Sequence, residues 1–171
     1  AFRARLRHSY GAEVEAENIQ VMSGATSGLS VVITALCDPG DEVLLPSPFW
    51  PLIRGIIARR GAVPVQVPLF DRLIDSSFDV EAELESRIND RTCALYINTP
   101  HNPTGAMLSP QTIEAMLRVA ERHDLWVISD EAYEEIYFCG ERPKPVWMYP
   151  GAHGRTIANH TLSKSYGLAG A

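Results

Sequence analysis

A lysine set between two serines is the residue best placed for unusual chemistry. Lys164 lies in Thr161-Leu162-Ser163-Lys164-Ser165-Tyr166-Gly167, just past the last apolar run of the chain. A lysine forms an imine with a carbonyl when burial or a nearby cation lowers its pKa. The hydroxyls of Thr161 and Ser163 suit a phosphate. A solvated surface lysine is the plainer alternative. Only Lys144 and Lys164 occur, so arginine supplies 13 of the 15 basic residues. Arginine stays protonated and cannot do this chemistry. Lys144, between two prolines in a polar loop, fits the surface role better.

Four other short stretches carry chemically useful groups. Ser23-Gly24-Ala25-Thr26-Ser27-Gly28 is built of small residues and opens an apolar helical pattern. A helix N-terminus offers free N–H donors and the positive end of a dipole, which suits a phosphate. A simple capping turn is the alternative. Ser47-Pro48-Phe49-Trp50-Pro51 places two aromatics between prolines. Trp50 can stack on a flat ring, or the pair can pack under the next helix. In Asn98-Thr99-Pro100-His101-Asn102-Pro103-Thr104-Gly105, Asn102 precedes a proline that restricts its backbone. Its amide can donate to a phenolate oxygen. His101 is read as a structural or stacking neighbour. Ser129-Asp130-Glu131-Ala132-Tyr133 ends an apolar run. Asp130 can hold a protonated pyridine nitrogen in a charge-assisted pair, or cap a helix.

The elements that must position these groups alternate. Strand-like runs fall at 18–22, 42–45, 63–67, 92–97, 126–129 and 156–160. Helical patterns fall at 1–7, 26–36, 50–60, 79–88 and 110–123, the last opening on Ser109-Pro110. Pro64 weakens the third strand. Strands alternating with helices imply crossover connections and an α/β fold, a mostly parallel sheet with helices on both faces. Ligands of such sheets bind beyond the carboxyl ends of the strands. All five stretches follow expected strands, so all are expected on one edge. Together they supply a phosphate cradle, a stacking ring, an amide, a carboxylate and a lysine, the set that pyridoxal phosphate needs.

Bulk properties set outer limits. A length of 171 residues suits one domain. The formal charge of -6 argues against a nucleic-acid surface. No run is apolar and long enough to cross a membrane, and no signal peptide is visible. Cys37, Cys93 and Cys139 show neither metal spacing nor a disulfide framework. They are expected to be buried reduced thiols, and no metal site is expected. The chain begins inside a helical pattern and stops in a glycine-rich turn. A fragment of a longer protein is the expectation.

With these motifs in hand, the chain resembles the class I/II pyridoxal-phosphate-dependent aminotransferases of the aspartate-aminotransferase fold type. The resemblance runs through Gly24-Ala25-Thr26, Phe49-Trp50-Pro51, Asn102-Pro103-Thr104-Gly105, Asp130 with Tyr133, and Ser163-Lys164, and covers essentially the whole chain. It implies that residues 1–171 are the cofactor-binding large domain, incomplete at both ends. It places the family's small domain and N-terminal arm outside these residues. Lys164 would bind the cofactor as a Schiff base and then shuttle the Cα proton. Asp130 would pair with the ring nitrogen. Asn102 and Tyr133 would bond the phenolic oxygen, and Trp50 would stack on the ring. Gly24, Ala25 and Thr26, helped by Thr161 and Ser163, would hold the phosphate. The family's phosphate arginine falls eight positions after Lys164, one past Ala171. Its substrate-carboxylate arginine lies further on, and Tyr10 is not its partner-subunit tyrosine. The resemblance implies amino-group transfer between an amino acid and a 2-oxo acid by a cytoplasmic homodimer. It also implies a chain inactive by itself. Lyases, cyclases and synthases of the same fold start from the same Cα deprotonation, and a regulatory domain that binds cofactor without turnover is a third possibility.

Overall fold

Apolar runs that do not alternate form strands buried on both faces, and such strands pair in parallel under flanking helices. The computed structural model, which describes residues 1–138 and 140–169, has that architecture. In chain order it comprises α1 (Phe2–Tyr10), α2 (Ala25–Leu36), β1 (Glu42–Ser47), α3 (Pro51–Arg59), β2 (Val63–Pro68), α4 (Val80–Glu85), β3 (Thr92–Asn98), α5 (Pro110–Arg122), β4 (Trp126–Asp130) and β5 (Thr156–Asn159). Two short 3-10 turns lie at Ala16–Asn18 and Val146–Met148. The strands form one sheet in the order β2-β1-β3-β4-β5, and every pair is parallel. The α/β class and the parallel sheet expected from the sequence are present.

Alternate strand residues face two cores. Leu44, Leu95, Ile97 and Val127 pack on one side against α4 and α5, through Leu84, Ile113, Met116 and Leu117. Val43, Leu45, Ala94, Tyr96 and Ile128 pack on the other against α2 and α3, through Leu29, Ile33, Ile53 and Ile57. Each fully buried aliphatic side chain contributes about 1.5–3 kcal/mol, so both helical layers are firmly attached. Local signals set the helix ends. Ser109 Oγ accepts from Thr112 N at 3.1 Å, with Pro110 in the first turn of α5. Asp79 caps α4 by accepting from Ala82 N at 3.0 Å. Glu81 pairs with Arg118 and Arg122 between the two helices, but these pairs are exposed and each adds little.

Three expectations need correction or sharpening. The run 18–22 is not a strand. After the turn at Ala16–Asn18 it stays outside the sheet, with Val21 83% exposed. Its β-type residues have no neighbouring strand to pack on, and strand propensity depends on that context. Pro64, by contrast, does sit in a strand. β2 is an edge strand paired only with β1, where a missing N–H is tolerated. Two of the cysteines meet. Cys93 Sγ donates to Cys37 Sγ over 3.5 Å, and both are free thiols, Cys37 buried and Cys93 half-buried. Cys139 lies outside the described residues.

The strand order reverses between β1 and β3. A crevice at such a switch point, beyond the carboxyl ends of the strands, is where open α/β sheets bind ligands. The loops after β1, β3, β4 and β5 all open onto that edge.

Candidate active site

Asp130 ends β4 at the centre of that edge and is 6% exposed. Its Oδ2 accepts from Tyr96 Oη at 2.7 Å and its Oδ1 from Ala132 N at 3.2 Å. Burial pushes the carboxyl upward, and the Tyr96 and Ala132 donors pull it partly back. The Asn159 side chain pulls the same way without hydrogen-bonding geometry, and its Nδ2 is buried with no partner. Asn98, on the neighbouring strand, braces the region. Its Nδ2 donates to Asp130 O at 2.9 Å, and its Oδ1 accepts from Asn102 N at 2.9 Å. One buried amide thus ties the loop after β3 to the end of β4.

That loop carries Asn102, whose Nδ2 donates to Tyr133 Oη at 3.1 Å. The Lys164 ammonium lies 6.0 Å from the centroid of the Tyr133 ring, and Lys164 itself is exposed. Asn102, Tyr133 and Lys164 therefore converge from three loops. A cleft of about 610 Å³ adjoins them, lined by His101, Asn102, Tyr133, Ile136 and Phe138 among others.

His101 plays the structural part expected of it. Its ring stacks on Phe70 with centroids 3.4 Å apart, and its Nδ1 contacts Thr104 Oγ1 at 2.8 Å. Burial lowers its pKa to about 4, against a smaller opposing influence of the Pro48 backbone. Pro48 belongs to the loop after β1, and His101 to the loop after β3. Trp50, in the former loop, is half-buried and packs with Phe49 on the core under α2 and α3. Core packing thus accounts for part of its surface, and the rest is open to a ligand.

Gly24, Ala25 and Thr26 form the N-terminus of α2. This cradle does not follow a strand, since 18–22 stays outside the sheet. Packing of α2 against β5 brings it to the edge instead. Gly24 has φ 87° and ψ 159°, which only glycine adopts readily. No side chain caps this helix, so its first N–H groups are free donors. Gly28 makes the close packing possible. A Cβ there would lie 2.4 Å from Asn159 Oδ1. On the other side of the edge, Thr161 Oγ1 accepts from Ser163 N at 3.1 Å and orders the turn before Lys164.

Sequence reasoning missed a charged network behind this edge. Glu134 accepts from Tyr10 Oη at 2.8 Å and pairs with Arg5 at 2.6 Å and His160 Nδ1 at 2.9 Å. Glu135 pairs with Arg5 at 3.0 Å and Arg142 at 2.6 Å. The network pins α1 to the loop after β4. Glu131 is buried alongside, accepting from Ser129 Oγ at 2.8 Å and Val146 N at 2.9 Å. The Arg5 and Tyr10 pairs join positions more than 100 residues apart in the chain, so no local pattern announces them.

The fold is that of an aminotransferase large domain. The family model "Aminotransferase class I and II" matches residues 1–171, and the chain belongs to that family. It is 39% identical over 167 residues to an arginine–pyruvate transaminase of Pseudomonas aeruginosa, covering 97% of this chain and 42% of that protein. A probable N-succinyldiaminopimelate aminotransferase of Mycobacterium tuberculosis is 36% identical over 171 residues, covering 99% and 43%. Among solved structures, an aromatic aminotransferase from Pyrococcus horikoshii superposes with a TM-score of 0.89 at 32% identity, over 99% of this chain and 45% of that one. The chain spans about two fifths of the length of the curated relatives it matches.

Proposed function

We propose that residues 1–171 form the pyridoxal-phosphate-binding large domain of an aminotransferase, which moves an amino group between an amino acid and a 2-oxo acid. The buried Asp130 carboxyl carries this proposal. Its hydrogen-bond donors, Tyr96 and the Ala132 backbone, are neutral, and burial disfavours its charge. A protonated pyridine nitrogen is the cation such a carboxylate accepts, so the residues present fit the cofactor. Asn102 and Tyr133, already in contact, would donate to its phenolic oxygen. Trp50 would cover one ring face. The free N–H groups of Ala25 and Thr26, on the turn that Gly24 makes, would bind the phosphate, with the Thr161 and Ser163 hydroxyls opposite. Lys164, on a turn reaching over Tyr133, would attach the cofactor and later hold the proton taken from the substrate Cα.

The bound cofactor supplies an electron sink for the Cα carbanion. The chain's own residues orient that ring, hold its charges and move the proton. The same reading makes the working protein a cytoplasmic homodimer, with this chain inactive alone. The relatives named for amino-group transfer support the transferase outcome over lyase or cyclase chemistry.

Incubating the protein that carries this chain with pyridoxal phosphate, a panel of amino acids and either pyruvate or 2-oxoglutarate tests the proposal. A new amino acid derived from the oxo acid is expected. Substrate breakdown without amino-group transfer would overturn it.

A further inference from the structure

Tyr96 packs like a core residue, yet its hydroxyl reaches the site. It is 2% exposed on β3, on the face shared with Ala94 and Ile128 beneath α2 and α3. Phenylalanine or leucine would satisfy that packing. A buried phenol without a partner carries a desolvation cost, and this one is met by donation to Asp130 Oδ2 at 2.7 Å.

The strand register explains the reach. Tyr96 pairs with Ile128, and Asn98 pairs with Asp130. Asp130 is therefore two residues beyond Tyr96's partner, on the same face. Such a diagonal separation is within the span of an aromatic side chain. The contact is set by the β3–β4 ladder rather than by a loop, so it is rigid. It also distinguishes the two carboxylate oxygens. Oδ2 is held by the phenol and Oδ1 by Ala132 N. Free rotation of the carboxylate would break both bonds.

We propose that Tyr96 is a positioning residue for Asp130, fixing the plane of its carboxylate and holding it ionised as the counter-charge to the cofactor's ring nitrogen. The inference rests on the functional proposal above. Tyr96 touches neither cofactor nor substrate in this scheme and acts only through Asp130. A hydroxyl donor to a buried carboxylate favours the charged form, opposing the burial that pushes Asp130 upward.

The test is Tyr96→Phe in the cofactor-loaded protein, compared with wild type for two ligands. One is pyridoxal phosphate, and the other is its carbocyclic analogue with CH in place of the ring nitrogen. The variant should bind pyridoxal phosphate about tenfold more weakly and bind the analogue unchanged. In ¹³C-aspartate-labelled protein without cofactor, the Asp130 carboxyl should titrate about 1 unit higher in the variant. Equal losses for both ligands would reduce Tyr96 to packing and overturn the inference. So would an unmoved Asp130 titration. If the variant does not fold, 3-fluorotyrosine at Tyr96 keeps the ring and strengthens the donor. It should lower the Asp130 midpoint, and no change would again overturn the inference. Wild-type protein that takes up neither ligand would defeat the functional proposal itself, and this inference with it.

Discussion

The Asn102 amide donates to the Tyr133 hydroxyl over 3.1 Å, joining the loop after β3 to the loop after β4. The two groups that would hold one cofactor oxygen are thus already in contact. Asn102→Ala and Tyr133→Phe should each weaken pyridoxal-phosphate binding about tenfold. Residues in contact couple, so the double variant should lose less than the product of the two. Cofactor titration by fluorescence measures all four species. A fully multiplicative loss would show that the two groups bind independently.

Glu134 is held at about 2. Burial pushes it up, but His160 and Arg5, at 2.9 and 2.6 Å, outweigh that burial. A carboxyl whose folded pKa is depressed contributes stability above its unfolded value, near 4.5. That contribution fades as pH falls from there toward 2. Glu134→Gln should therefore cost about 3 kcal/mol at pH 7 by removing the buried carboxylate that Arg5 and His160 share. Urea unfolding at pH 7 and pH 3 should show the deficit shrinking at the lower pH.

Glu131 behaves oppositely. Full burial raises it to about 7, against smaller pulls from His160, Ser129 and Val146. Its folded pKa lies above its unfolded one, so the folded state holds the proton more tightly. Stability attached to this group is present below about 4.5 and lost as pH rises toward 7. Glu131→Gln keeps an acceptor for Ser129 and Val146 but cannot ionise. Relative to wild type, the variant should gain up to about 3 kcal/mol on going from pH 5 to pH 8. Parallel urea curves at the two pH values decide it.

Gly28 leaves the space that Asn159 fills. Gly28→Ala would put a methyl 2.4 Å from Asn159 Oδ1, displacing the residue paired with Asp130 across β4 and β5. Overpacking of this kind costs about 1–3 kcal/mol, read as a lower melting temperature together with weaker cofactor uptake. Adding Asn159→Ala should recover most of the melting temperature. No recovery would place the clash elsewhere.

The sequence showed the helices, the parallel sheet and the residues nearest the proposed cofactor, because each leaves a local signature. Ser109-Pro110 announces α5, and unbroken apolar runs announce β3 and β4. Asp130, Asn102 and Lys164 stand out as polar groups at the ends of such runs. Tyr96 was hidden because a tyrosine in an apolar strand looks like core, and only the register with β4 shows where its hydroxyl goes. Gly28 looked like part of a phosphate loop, while its role is to admit Asn159 from 131 residues away. The run 18–22 misled because Ile19 and Val21 have strand propensity but no strand beside them. Glu134 and Arg5 form a pair that exists only once α1 folds back onto the β4 loop.

Lys164 is the centre of the account, and reduction locates the cofactor's attachment directly. The protein carrying this chain would be loaded with pyridoxal phosphate, treated with borohydride, digested and mapped by mass spectrometry. The account predicts a single phosphopyridoxyl group on the peptide containing Ser163-Lys164-Ser165. Label on Lys144 instead, or no label after confirmed folding, would contradict it.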